Sequence, residues 1–114
     1  MAIKIWHNPR CTKSRNGVAF LEEQGKEFEV YKYLDDTPSV ADIKEVLSML
    51  GISARELMRT TEAIYKELGL KDETNEDKLI EAMSLHGKLI QRPIIIKDGK
   101  AVIGRPTEKV LELF

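Results

Sequence analysis

An α/β fold with a four-stranded mixed sheet, in the order βαβ, helices, ββα, follows from three observations. Ile3 and Ile5 alternate with Lys4 and run into the turn pair Asn8-Pro9, the mark of a short strand. Ile94-Ile95-Ile96, then Asp98-Gly99, then Ala101-Val102-Ile103 is the pattern of an antiparallel hairpin. Between these ends, residues 39–87 carry helical periodicity and legible caps.

The elements follow in order. After the first strand, Val18, Ala19 and Leu21 form the apolar stripe of a helix from about Ser14 to Gln24, and Gly25 stops it. Phe28 and Val30 alternate with Glu27 and Glu29 in a second strand, and a strand reached through a crossover helix runs parallel to the first. Ser39 with Asp42 makes a capping box ahead of Ile43, Val46, Leu47 and Leu50, and Gly51 ends that helix. Ser53 with Glu56 repeats the signature around Leu57 and Met58. Thr61 starts a further helix ending near Gly69, and Thr74 with Asp77 introduces Leu79, Ala82 and Met83. After the hairpin, Pro106 and Thr107 open a last helix with Val110, Leu111 and Phe114 on one face. This order, with a cysteine between the first strand and first helix, is that of a thioredoxin-like fold. The chain reads as one domain, 1–114, with a helical insertion at about 39–87.

Composition narrows the function. With 18 Lys and Arg against 19 Asp and Glu, a formal charge of -1 gives no global attraction to nucleic acid or anionic membrane, so any cationic site is local. No leader pattern and no membrane-length apolar run is present, which predicts a soluble, cytoplasmic protein. The chain is expected to act as a monomer. Its one cysteine, Cys11, excludes an internal disulfide, so redox chemistry must borrow a second thiol from another molecule.

Cys11 sits in HNPRCTKSR, which contains no large aliphatic residue. The bland reading is a small buried filler. The polar setting argues for a nucleophile instead, because a sulfur at a helix N-terminus near Arg10, Lys13 and Arg15 is stabilised as thiolate. Consecutive loop residues cannot all point inward, so at least one of these cations is solvated. Ser14 stands where a Cys-x-x-Cys motif has its second sulfur; its hydroxyl can donate to a thiolate but cannot resolve a mixed disulfide. His7 has two readings, as a base or partner for Cys11 or as a structural donor to backbone. One Cys and two His without finger-like spacing argue against a metal. Arg59, Arg92 and Arg105 each stand at an element end; singly each reads as a cap or surface ion pair, and jointly they suit an oxyanion through their planar forks.

HNPRCTKSRN resembles the active-site segment of the glutaredoxin-dependent, ArsC-type arsenate reductases. The resemblance continues through YLDDTPS, LGISARELMR, YKELGL, LIQRPIII and IGRPTEKVLE, and so covers nearly the whole chain. It implies a catalytic cysteine at Cys11 and oxyanion-binding, transition-state-stabilising arginines at Arg59, Arg92 and Arg105. It further implies that His7, Ser14 and Arg15 support the thiolate and substrate, and that a cis bond joins Arg92 to Pro93. Arsenate as substrate, glutathione as co-substrate with no bound cofactor, and glutaredoxin as reductant are implied with it. Arg10 departs from the family pattern as an extra cation beside the nucleophile. Two other functions are set against this one: a glutathione-dependent thiol-disulfide oxidoreductase, and a redox-responsive regulator that binds RNA polymerase. The three distant arginines favour the oxyanion, and Ser14 removes the Cys-x-x-Cys switch typical of the regulators.

Overall fold

Alternation in the first strand puts Ile3 and Ile5 on one face of a sheet. In the computed structural model, which describes residues 3–114, that face is the core of the first of two compact units. The first unit takes in the chain up to Asp35 and Arg92–Phe114; the second is Asp36–Gln91, somewhat longer than the expected 39–87 insertion.

Four strands form the sheet of the first unit: β1 Ile3–Trp6, β2 Glu29–Tyr31, β3 Ile94–Lys97 and β4 Lys100–Ile103, in spatial order β2-β1-β3-β4. β1 and β2 are parallel, and β1 pairs antiparallel with β3, as does β3 with β4. The register sets Ile5 beside Ile95 and Ile95 beside Val102, so one side of the sheet is continuous hydrocarbon. Asp98 (φ 51°) and Gly99 (φ 78°) both occupy the left-handed region, as the hairpin turn read from Asp-Gly requires.

Helix α1, Thr12–Glu23, packs Leu21, Val18 and Phe20 onto Ile3, Ile5 and Ile95, together with Val110 and Leu113 from the last helical segment. Ile5, Leu21, Ile95 and Val110 are fully buried, each contributing about 1.5–3 kcal/mol. On the opposite side of β1, Trp6 meets Tyr31 edge-on at 5.3 Å and stacks on Tyr33 at 6.1 Å.

Two sequence expectations shift in this unit. α1 begins at Thr12 rather than Ser14, with Cys11 itself as the N-cap, because the first turn is built by polar residues that the apolar stripe does not mark. The last segment, Thr107–Leu113, is a 3₁₀ helix, whose three-residue period aligns Val110 with Leu113 on the core and leaves Leu111 and Phe114 exposed. The expected face of Val110, Leu111 and Phe114 assumed an α-helical period.

In the second unit, the capping boxes of Ser39 with Asp42 and of Ser53 with Glu56 open α2 (Val40–Leu50) and α3 (Ala54–Leu57) as read from sequence. α4 is Ala63–Glu67, starting two residues later than Thr61 suggested, and α5 is Glu76–Leu85. The cap of α5 is Asn75 rather than Thr74: its side chain accepts from Asp77 and Lys78 N–H, which displaces the box expected from Thr74 and Asp77. α5 packs on α2 and α3.

Arg55 of α3 holds this unit in a way its sequence position does not announce. It donates to Tyr65 Oη at 2.6 Å, to Leu70 O at 3.1 Å and to Glu73 O at 2.5 Å, so one guanidinium ties α3 to α4 and to the loop ahead of α5. Arg55→Met keeps the apolar stem and leaves these acceptors without their donor; unfolding in urea is expected to show a loss of about 2–3 kcal/mol. An unchanged midpoint would show that water replaces the guanidinium without cost.

Candidate active site

The loop from His7 to Cys11 is shaped by Asn8, which is nearly buried. Its side-chain oxygen accepts Arg10 N–H at 3.0 Å and its carbonyl accepts Cys11 N–H at 3.0 Å, an Asx turn that sets the cysteine at the start of α1. The Asn8-Pro9 pair therefore does what its sequence suggests. Cys11 is half-buried, and Arg15 N–H closes the first helical turn on its carbonyl at 2.9 Å.

Burial pushes the Cys11 thiol up. Against it act the backbone N–H of Ser14, a hydrogen bond and the positive charge from Arg92, and the backbone N–H of Lys13; together these hold the thiol below its ordinary value. The helix N-terminus and one arginine thus stabilise the sulfur as an anion. Alkylation by iodoacetamide follows the thiolate fraction, so its rate should rise with a midpoint below that of a free thiol. Between the two midpoints the native protein reacts faster than the same chain unfolded in urea. Coincident midpoints for native and unfolded chain would show that the fold does nothing for the thiol.

Two arginines from the other end of the chain reach this sulfur. Arg92 stands just before β3 and Arg105 just after β4, so hairpin pairing brings both to one end of the sheet. Arg105 Nη2 lies 4.0 Å from Cys11 Sγ, and its Nε donates to Arg92 O at 2.7 Å, which fixes the guanidinium. Arg92 Nε is buried and, among the described residues, has no hydrogen-bond acceptor. A buried donor left in this state is costly unless something else takes the bond, and an anionic oxygen is the fitting acceptor.

The Arg92–Pro93 peptide bond is cis, as is Arg105–Pro106. Pro93 is buried, and its ring lies between two backbones that carry no side chain. A Cβ on Gly17 would sit 2.9 Å from Pro93 Cγ, and one on Gly104 would sit 3.1 Å from the same atom. Gly104 N–H also donates to Pro93 O at 2.9 Å. Nothing local in the sequence marks either glycine, because the close approach is made in tertiary structure.

Other site candidates take different places. Ser14 is fully buried; its hydroxyl oxygen accepts Asn8 N–H at 2.9 Å and shares a 2.7 Å hydrogen bond with His7 Nδ1. It is the Ser14 backbone N–H that supports the sulfur. Burial, then the charges of Lys32 and Arg15, push the His7 imidazole down, with Ser14 opposing. His7 therefore bears on the loop through Ser14. Arg15 is exposed and staples the loop, donating to Pro9 O at 2.9 Å and Thr12 Oγ1 at 3.2 Å. Arg10 and Lys13 are exposed too, so all three cations near the cysteine in sequence are solvated. Arg59 belongs to the second unit: its N–H donates to Leu89 O at 2.6 Å, and its guanidinium pairs with Glu62.

Comparison with known proteins adds the relatives of this arrangement. Residues 6–113 match the model of the ArsC family. The chain is 50% identical over 113 residues to the uncharacterized protein YfgD of Escherichia coli K12, covering 97% of this chain and 95% of that one. It is 46% identical over 110 residues to an arsenate reductase of Neisseria meningitidis serogroup A, covering 95% and 94%. Among solved structures, an arsenate reductase from Vibrio cholerae superposes with a TM-score of 0.97 at 46% identity, covering 100% of this chain and 98% of that one.

Proposed function

The chain belongs to the ArsC family, and from that premise we propose that it reduces arsenate to arsenite through Cys11, with glutathione as co-substrate and glutaredoxin as the final reductant. One observation carries the reading: a thiol held below its ordinary value stands beside Arg92 and Arg105, and Arg92 offers a buried Nε with no acceptor among the described residues.

Arsenate binds with its oxygens on Arg92 and Arg105; an oxyanion role for Arg59 is what the family resemblance implies. The Cys11 thiolate attacks arsenic, an As–S bond forms and one oxygen leaves as water after protonation. The arginines hold the negative charge that builds on the remaining oxygens. Glutathione then supplies the second thiol. As an S–S bond forms between Cys11 and glutathione, two electrons pass to arsenic and the As–S bond breaks. In sum, arsenic acid and two thiols give arsenious acid, one disulfide and one water. Glutaredoxin restores Cys11 by thiol-disulfide exchange. Ser14 cannot take that step, and Cys11 is the only cysteine, so an external thiol is required.

The test is arsenate-dependent NADPH consumption by the purified protein with glutathione, glutaredoxin and glutathione reductase. A rate that saturates with arsenate and is competitively inhibited by phosphate supports the proposal. No arsenate-dependent rate, with each coupling enzyme active, would overturn it.

A further inference from the structure

Arg59 and Glu62 form an ion pair, Nη1 to Oε1, with side chains 21% and 27% exposed. The segment bearing Arg59 is fixed: Met58 bridges to Ile90, Gln91 Nε2 donates to Met58 O at 3.1 Å, and Arg59 N–H is bonded to Leu89 O. Glu62 is the N-cap residue of α4, where a side-chain oxygen ordinarily accepts an N–H of its own helix. Its carboxylate makes no capping bond there and is directed to Arg59 instead.

We infer that Glu62 is a positioning residue that occupies Arg59 as a built-in anion and yields it to a tetrahedral oxyanion; this rests on Arg59 being an oxyanion arginine. A carboxylate already paired with Nη1 competes with every incoming anion. A dianionic oxyanion, with two charges and several acceptor oxygens, displaces it more readily than chloride or a monocarboxylate does. Glu62 thereby sets a threshold that tells arsenate or phosphate from the monoanions of the solution, and it keeps the guanidinium oriented until one arrives.

The probe is inorganic phosphate, and the readout is the rate at which phenylglyoxal modifies Arg59, followed by peptide mass mapping. In Glu62→Gln the phosphate concentration giving half-protection should fall about three- to fivefold, the size of one partly exposed ion pair. Modification without phosphate should be faster as well. Glu62→Asp, which keeps the charge, should return half-protection toward the wild-type value. The KM for arsenate should fall in Glu62→Gln without a rise in kcat, a split that a merely structural role would not produce.

Half-protection unchanged or raised in Glu62→Gln overturns the inference. Turnover of arsenate without that shift leaves the proposed function standing and removes the role of Glu62; the shift without turnover does the reverse. No protection of Arg59 in either protein removes it from oxyanion binding and the inference with it.

Discussion

Cys11→Ser is expected to abolish arsenate-dependent NADPH consumption, a loss of at least about 10³-fold that leaves only background. A serine hydroxyl stays protonated at neutral pH, whereas the backbone N–H groups of the helix N-terminus and Arg92 favour the thiolate form of the native sulfur. The deeper reason is electronic. Reduction of arsenic requires that Cys11 give up its electron share as an S–S bond forms, and oxygen does not close that step. The side chain is half-buried and fills no part of the core, so the variant should fold and unfold as the parent does. A residual rate above background would show that arsenate meets glutathione directly and that Cys11 is a bystander.

The second large effect is at Arg92. Arg92→Lys keeps the charge and loses the fork and the buried Nε, so kcat/KM for arsenate should fall about 10²-fold, roughly 2.7 kcal/mol of transition-state stabilisation. The cost should appear mainly in kcat, because the bonds strengthen as charge builds on the oxyanion. Reactivity of Cys11 toward iodoacetamide should fall far less: Ser14 and Lys13 N–H still support the sulfur, and a lysine charge remains nearby. Normal kcat/KM in Arg92→Lys would sink the paired-bond role.

Much of the fold could be read along the chain because its signals are local. Asp98-Gly99 names its own turn, and Ser39 with Asp42 and Ser53 with Glu56 name their helix starts. Misreadings fell where a local rule had a competitor. Asn75 outdid Thr74 as a cap, and a 3₁₀ period rearranged the last segment so that Leu113 replaced Leu111 on the core. At the site, the chemistry of Cys11 was legible and its partners were not. The nearest cations in sequence, Arg10, Lys13 and Arg15, are solvated, while Arg92 and Arg105 reach the sulfur from the far end of the chain. Such meetings are made by strand pairing, which no short stretch encodes. Arg55 is hidden for the same reason, since its acceptors on Tyr65, Leu70 and Glu73 become neighbours only once the segments around α4 have folded.

The packing of Pro93 between Gly17 and Gly104 bears on how such a chain can change over generations. Neither glycine has any chemistry to lose, and a scan for reactive side chains would pass over both. Yet a methyl group at position 17 meets the proline ring at 2.9 Å, and that ring is the next residue after an arginine aimed at the sulfur. Positions 17 and 93 form one heritable unit scattered over the sequence: a lineage that keeps Pro93 has no step to alanine at 17 that spares the packing beside Arg92. Drift at this silent position is therefore closed off by the same contact that packs the proline beside the arginine.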